Sequence, residues 1–239
     1  MRHSYPTSLN FETRSDDREL LDVPDLDPVE LAESLKELAV INAALGGYAT
    51  TLGALSRLVP HGRREFDVLD VGLGGGDTAR RIVEWAKRRD MSARVFGIDL
   101  APEAVSYARL SNAGLPGIEF TVQNLFDLPQ TRKYDIVHAA LLLHHLPDDA
   151  AVEALAKMYE LCRLGLVIND LHRHPVAYYL IKWLTTLISK NRLILHDAPL
   201  SVLRAFHRTC LKDLARRASL PTPDISWHWA FRWSMIVRK

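Results

Sequence analysis

The run Val68-Leu69-Asp70-Val71-Gly72-Leu73-Gly74-Gly75-Gly76-Asp77-Thr78 sets an acid and four glycines where an apolar strand gives way to a helix. Glycines let the backbone take positive φ and pass close beneath a ligand. Asp70 stands two residues before the first glycine. A carboxylate there would repel a pyrophosphate but suits an α-amino group or a sulfonium cation. A dinucleotide fingerprint needs glycine where Asp77 stands, and a phosphate loop needs Gly-Lys-Ser/Thr. Neither is present. Asp99 closes a second apolar run 25 residues after Gly74, where a carboxylate can accept bonds from both ribose hydroxyls. It could equally cap the helix that Pro102 opens, and the two roles are compatible.

Histidines supply the other chemistry. His144 and His145 follow one strand-like run, His172 and His174 follow the next, and His196 adjoins Asp197. An imidazole is a fitting base for a phenol, whose pKa is about 10. His172 ranks first, because it lies just past Asn169-Asp170 at a strand's carboxyl end. His196 ranks second, although adjacent side chains seldom bond each other usefully. His145 ranks third. No cysteine or carboxylate cluster has ligand spacing, so no metal is expected.

These residues need a scaffold. The 239 residues are 48% hydrophobic and 25% charged, with a net charge of +1. That allows a large core and argues against long-range attraction to polyanions. The basic cluster Arg80, Arg81, Lys87, Arg88 and Arg89 reads as the solvated face of a helix. Cys162 and Cys210 read as small core residues in helices, compatible with a reducing compartment. Residues 1–27 read as a loose polar arm. Apolar residues at helical spacing, from Leu31 to Leu45, predict helices between Val29 and Leu58, broken at Gly46-Gly47. From Phe66 to Asn169 strands alternate with helices, which predicts a doubly wound parallel sheet. Beyond Asp170 come an apolar helix over 175–190, a linker at Pro199, a helix from His207 to Ala218, and strands at Asp224–Trp229 and Phe231–Val237. The division expected is an arm and helical lid over 1–60 and a main domain over 61–239, with a helical cap inserted at 171–206.

Taken together, Asp70–Gly76, Ile98–Glu103, Gln123–Pro129 and Tyr134–Pro147 resemble, in order and spacing, the motifs of the class I S-adenosylmethionine-dependent methyltransferases. The resemblance covers roughly residues 60–170. It implies a Rossmann-like α/β fold whose seven-stranded sheet has its last strand antiparallel. It implies S-adenosylmethionine as methyl donor, held by Asp70, Gly72, Leu73, Gly74, Asp99, Leu100, Asn124, Leu125 and Ala140. Asn124 stands where the family usually has an acid facing the adenine amino group, and an amide oxygen can accept the same bond. Within the family the His144-His145-Leu146-Pro147 segment is largely architectural. The stretch from Asp170 to Leu180 is similar to bacterial members serving polyketide or isoprenoid natural products.

The apolar helix over 175–190 should pack one face on the core. Its remaining face would cap a hydrophobic acceptor, with Tyr178, Tyr179 and Trp183 against it, or meet a second copy of the chain. A small aromatic or hydrophobic acceptor, O-methylated at a phenolic or polyketide hydroxyl, is the expectation. Carbon methylation of a quinone-type ring and an NAD-dependent oxidoreductase are its rivals. The region after the fourth strand, Ala139 to Leu143, lacks the Asn/Asp-Pro-Pro-Tyr used on nucleobase amines, and no nucleic-acid module is evident. No run is long enough to span a bilayer, so a cytoplasmic protein is expected.

Overall fold

A computed structural model describes residues 9–23 and 26–239. Asp27 accepts hydrogen bonds from Val29 N and Glu30 N, and Pro28 takes the first helical position of α1 (Pro28–Ala44). Gly46 in the left-handed region, φ +73°, separates α1 from α2 (Gly47–Leu58), which turns away by 65°. Then come β1 (Glu65–Val71), α3 (Asp77–Lys87), β2 (Ser92–Asp99), α4 (Pro102–Ser111), β3 (Ile118–Val122), β4 (Tyr134–Ala140), α5 (Asp148–Leu161) and β5 (Cys162–Leu171). The chain continues through α6 (Pro175–Ile188), α7 (Arg192–Arg204), α8 (Arg208–Arg217), β6 (Asp224–His228) and β7 (Arg232–Arg238).

The seven strands form one sheet in the order β3-β2-β1-β4-β5-β7-β6. β1 to β5 are parallel, and β7 runs antiparallel to both β5 and β6. The central strands are buried on both faces, as parallel strands flanked by helices must be. One face packs on α2, α3 and α4, around Leu55, Ile82 and Val105. The other packs on α5 and α8, around Leu155, Met158 and Leu211. The chain reverses its order beside β1, so the carboxyl ends of β1, β2 and β4 open into a common crevice. In α3, Ala79, Ile82, Trp85 and Ala86 turn inward. Two basic residues of that helix take polar partners, Arg80 on the buried Asn112 and Arg81 on the partly exposed Glu84.

Three expectations need correction. Residues 9–23 are not loose. Arg173, buried at 1% exposure, donates Nε to Phe11 O (2.9 Å) and Nη2 to Glu12 O (3.0 Å), and Ser15 N donates to Leu203 O. Leu20–Asp22 form a one-turn helix. The anchors are main-chain groups and side chains far away in sequence, Arg173, Arg204 and Asp197, which leave no periodicity to read. The rest of the expected arm, residues 1–8 and Pro24-Asp25, lies outside the described residues. Pro199 is not in a linker but inside α7, where it removes one interior N–H from the helix. Cys162 begins β5 instead of lying in a helix, and its buried thiol is pushed up to about 11, as suits a core residue. Among the described residues no single helix is long and apolar enough to cross a membrane.

Candidate active site

A cavity of about 740 Å³ opens over the carboxyl ends of the strands, and its wall is mostly apolar. One end is the glycine loop. Gly72, φ +71°, lies beneath Leu142, whose Cδ1 would be 2.8 Å from any Cβ there. At Gly76, also φ +71°, a Cβ would lie 2.6 Å from the Phe120 ring. Side chains at either position would push the loop off the sheet.

Asp99 ends β2 and accepts from Gly74 N and Ala101 N, each at 3.1 Å. The helix cap itself is Ala101, so Asp99 braces the loop. Asn124 accepts from Phe126 N at 3.0 Å and starts a one-turn helix, Leu125–Asp127. Asp70 is buried. Its Oδ1 bonds His138 Nδ1 at 2.7 Å, and His138 Nε2 meets Thr51 Oγ1 at 3.1 Å. Asp70 Oδ2 has no partner among the described residues, although Asp70 lines the cavity. A buried acceptor left open in this way fits an ammonium group. Leu141, in the left-handed region at φ +54°, carries the wall round the end of β4.

All nine positions to which the resemblance carries the donor site line this cavity. S-adenosylmethionine fits the donor set: Asp70 for the ammonium, Asp99 for the ribose, and Asn124 with Leu125 at the base.

The histidines fall out differently. His145 lines the cavity, and so does His144. His172 and His196 do not. His172 packs against Trp233, with ring centroids 4.8 Å apart, and against His174. Burial, with the charges of His174, His207 and Arg173, pulls its pKa down to about 4. β5 runs two residues further than its apolar run indicates, to Leu171, which carries His172 past the cavity into the turn before α6. His196 Nδ1 does bond the adjacent Asp197 Oδ1, at 2.7 Å. The same carboxylate accepts Leu20 N and Leu21 N (2.8 and 2.9 Å), so it also anchors the 20–22 turn.

That anchored turn delivers two acids the sequence did not single out. Glu19 and Asp22 both line the cavity beside the histidine pair. His145 Nδ1 lies 2.9 Å from Asp22 Oδ1, and His145 Nε2 lies 3.9 Å from Glu19 Oε2. His144 Nδ1 bonds the fully buried Asp170 at 2.7 Å. Burial lowers the His145 pKa, but the Asp22 hydrogen bond and the charges of Glu19, Asp22 and Asp170 outweigh it, so the net shift is upward. Ligand atoms of Glu19, His144 and His145 lie within 4.8 Å of one another, a donor set that could hold a cation. The Glu19 carboxylate is already engaged, by the Ser201 hydroxyl at 2.9 Å and Arg204 Nε at 3.7 Å.

On α6, Ala177, Leu180, Ile181, Trp183 and Leu184 line the cavity. Tyr178 and Tyr179 do not. Tyr178 is buried edge-on to Phe11 (5.8 Å), and Tyr179 is 58% exposed. Helical periodicity decides this, since one face spans 177, 180, 181 and 184. Arg232 and His138 were also missed. A polar residue inside an apolar strand or stripe was the available signal.

Known proteins agree with this geometry. Residues 68–165 match the methyltransferase domain family. The ubiquinone biosynthesis O-methyltransferase of Xanthomonas axonopodis pv. citri is 35% identical over 131 residues, 52% of this chain and 50% of its own. That of Xanthomonas oryzae pv. oryzae is 36% identical over 120 residues, 47% of this chain and 46% of its own. The chain thus spans about half the length of the curated relatives it matches. Human N-acetylserotonin methyltransferase in complex with S-adenosylmethionine superposes with a TM-score of 0.62 at 20% identity, covering 89% of this chain and 56% of that one. A methyltransferase from Aquifex aeolicus gives 0.60 at 16% identity, covering 90% and 99%. Residues 68–165 thus match a methyltransferase domain, and the sheet that carries them has the fold of solved S-adenosylmethionine-dependent methyltransferases.

Proposed function

We propose that this chain methylates a hydroxyl of a small aromatic or otherwise hydrophobic acceptor, with His145 as the base. The observation that carries the reading is the continuity of one cavity from the Asp70–Asp99 end to the His145–Trp183 end. The O-methyltransferase relatives support oxygen over carbon.

S-adenosylmethionine, when bound, supplies a methyl group on a sulfonium; as the new carbon–oxygen bond forms, the electrons of the broken carbon–sulfur bond stay on sulfur. The protein's share is alignment, water exclusion and removal of a proton. Asp70 holds the cationic end and Asp99 the sugar. Asp22 accepts only, so the imidazole proton of His145 sits on Nδ1, and the lone pair on Nε2 receives the acceptor's proton. Glu19 and Asp22 then flank the imidazolium, and their charge favours its formation. A raised imidazole pKa narrows the gap to a phenol and makes the transfer less uphill.

Thermal shift with S-adenosylhomocysteine, NAD and ATP tests the donor end. Selective stabilisation by S-adenosylhomocysteine, lost in Asp99→Ala, is the expected result. A shift with NAD alone would replace this reading with an oxidoreductase. NMR of methylated products then separates an O-methyl from a C-methyl group.

A further inference from the structure

The start of β7 holds a buried charge whose donors are open among the described residues. Arg232 is 2% exposed, and its Nε and Nη1 have no hydrogen-bond partner among the described residues. It nevertheless lies on the cavity wall. Burial pulls its pKa down to about 10, with Asp170 and Tyr48 acting the other way, and at that value it is still charged at neutral pH. Asp170 has its oxygens committed to the His144 imidazole and to the N–H groups of His144 and Leu171. Tyr48 has its hydroxyl committed to Asp77 and Ala39 O. A buried guanidinium with open N–H groups is strongly disfavoured unless an acceptor arrives.

Asn42 lies beside it, and its Oδ1 is also buried without a partner among the described residues. Both side chains crowd Gly47. A Cβ there would sit 1.7 Å from Asn42 Oδ1 and 3.1 Å from Arg232 Cζ, so only glycine leaves room for the pair. A planar fork of donors and one free acceptor thus share a wall with Ile41, Leu45, Trp229 and Phe231. The fork matches a carboxylate, and the lone acceptor matches a neighbouring hydroxyl.

We propose that Arg232 and Asn42 form a carboxylate subsite, and that the acceptor is an apolar hydroxy acid held by its carboxyl group while its hydroxyl is methylated. This rests on the methyl-transfer reading above. The donor also carries a carboxylate, but its ammonium partner Asp70 is on β1. Strands β4 and β5 intervene before β7, a backbone separation of about 14 Å at sheet spacing. The guanidinium is therefore rooted three strands from Asp70, and the S-adenosylhomocysteine titration below separates an acceptor's carboxylate from the donor's.

Calorimetric titration of the full chain with 6-hydroxy-2-naphthoic acid, with its methyl ester, and separately with S-adenosylhomocysteine decides the matter. Wild type should bind the acid about tenfold or more tightly than the ester. Arg232→Gln should erase that preference and leave S-adenosylhomocysteine affinity within about threefold. Arg232→Lys should keep part of the preference, because the charge remains but the fork does not. Asn42→Leu should weaken the acid without altering the charge. Equal affinity for acid and ester in wild type, including no binding of either at millimolar concentration, overturns the subsite. A loss of S-adenosylhomocysteine affinity in Arg232→Gln as large as the loss of acid affinity also overturns it, and assigns the guanidinium to the donor's carboxylate. The acid–ester comparison needs no donor, so a wild type that fails to bind S-adenosylhomocysteine would sink the methyl-transfer reading separately.

Discussion

Tyr48 donates its hydroxyl to Asp77 Oδ2 across 2.6 Å, joining α2 to the first residue of α3, directly behind the glycine loop. Burial raises the pKa of both groups, and each acts on the other within the pair. The position that denies the loop a dinucleotide fingerprint is thus the position to which α2 is moored. Tyr48→Phe should weaken S-adenosylhomocysteine binding about fivefold or more, since a hydrogen bond to a charged group contributes about 1.5–3 kcal/mol. Calorimetry measures this. Unchanged affinity with a lowered melting temperature would make the bond purely structural.

Asp99→Ala should lower S-adenosylhomocysteine affinity about tenfold to a hundredfold, through loss of ribose contacts and of the brace on Gly74 N. Circular dichroism should show the fold intact, because Asp99 is half-buried and lies at the end of its strand. An affinity within twofold of wild type would remove Asp99 from the donor site.

The pH dependence follows from His145. Its pKa is raised, and in its proposed role as base the neutral imidazole is the active form. Rate should therefore climb with pH through a value above 6.5 and then level off. Asp22→Asn removes a negative charge and weakens the hold on Nδ1, so the acid limb should move to lower pH while the plateau falls. Stability runs the other way. A His whose folded pKa is raised contributes stability that is full below its unfolded pKa and is lost as pH rises through the folded value. The melting-temperature deficit of His145→Gln should therefore be larger at pH 6 than at pH 9. An acid limb that stays fixed in Asp22→Asn would clear His145 of the role.

Trp183 and Tyr178 are five residues apart on α6 and should fail differently. Trp183 is 63% exposed and touches the cavity, so Trp183→Ala should raise KM for the acceptor with little change in melting temperature. Tyr178 is buried against Phe11, so Tyr178→Ala should cost about 3 kcal/mol in stability. Chemical denaturation and steady-state kinetics separate the two. The opposite pattern would mean that α6 is rotated from the orientation described.

Chelation should leave methyl transfer unaffected, because Ser201 and Arg204 already engage the Glu19 carboxylate between the histidines. Dialysis against a chelator followed by assay checks this. Activity lost on dialysis and restored by a divalent cation would convert the Glu19–His144–His145 cluster into a metal site.

The residues proposed for the donor were legible in the sequence, because each stands at or just past a strand's carboxyl end within an unbroken alternation of strands and helices. Asp70, Gly72 and Gly74 sit within five positions, and Asp99 follows at the next strand end. The acceptor half was not legible, because it is assembled across the chain. His145 takes its partner from Asp22, which Asp197 fixes in place by holding Leu20 N and Leu21 N. His172 drew attention by its place after a strand, but β5 carries it into an aromatic cluster instead. Tyr178 and Tyr179 were plausible by type and excluded by helical phase. Arg232 was invisible for another reason: an arginine opening an edge hairpin reads as solvent-facing until Gly47 and Asn42, far away in sequence, are seen to enclose it.

The turn between β6 and β7 touches the corner between α1 and α2, where Ala230 N donates to Leu45 O and Trp229 O faces Gly46. Two segments separated by most of the sequence thereby close one wall, as a clasp closes a bracelet. Capture of an acceptor and closure of this clasp draw on the same free energy, so ligand saturation should slow hydrogen exchange near residues 45 and 230 together. Cleavage in either segment would then loosen the grip on both ligands, even with every residue of the glycine loop still in place.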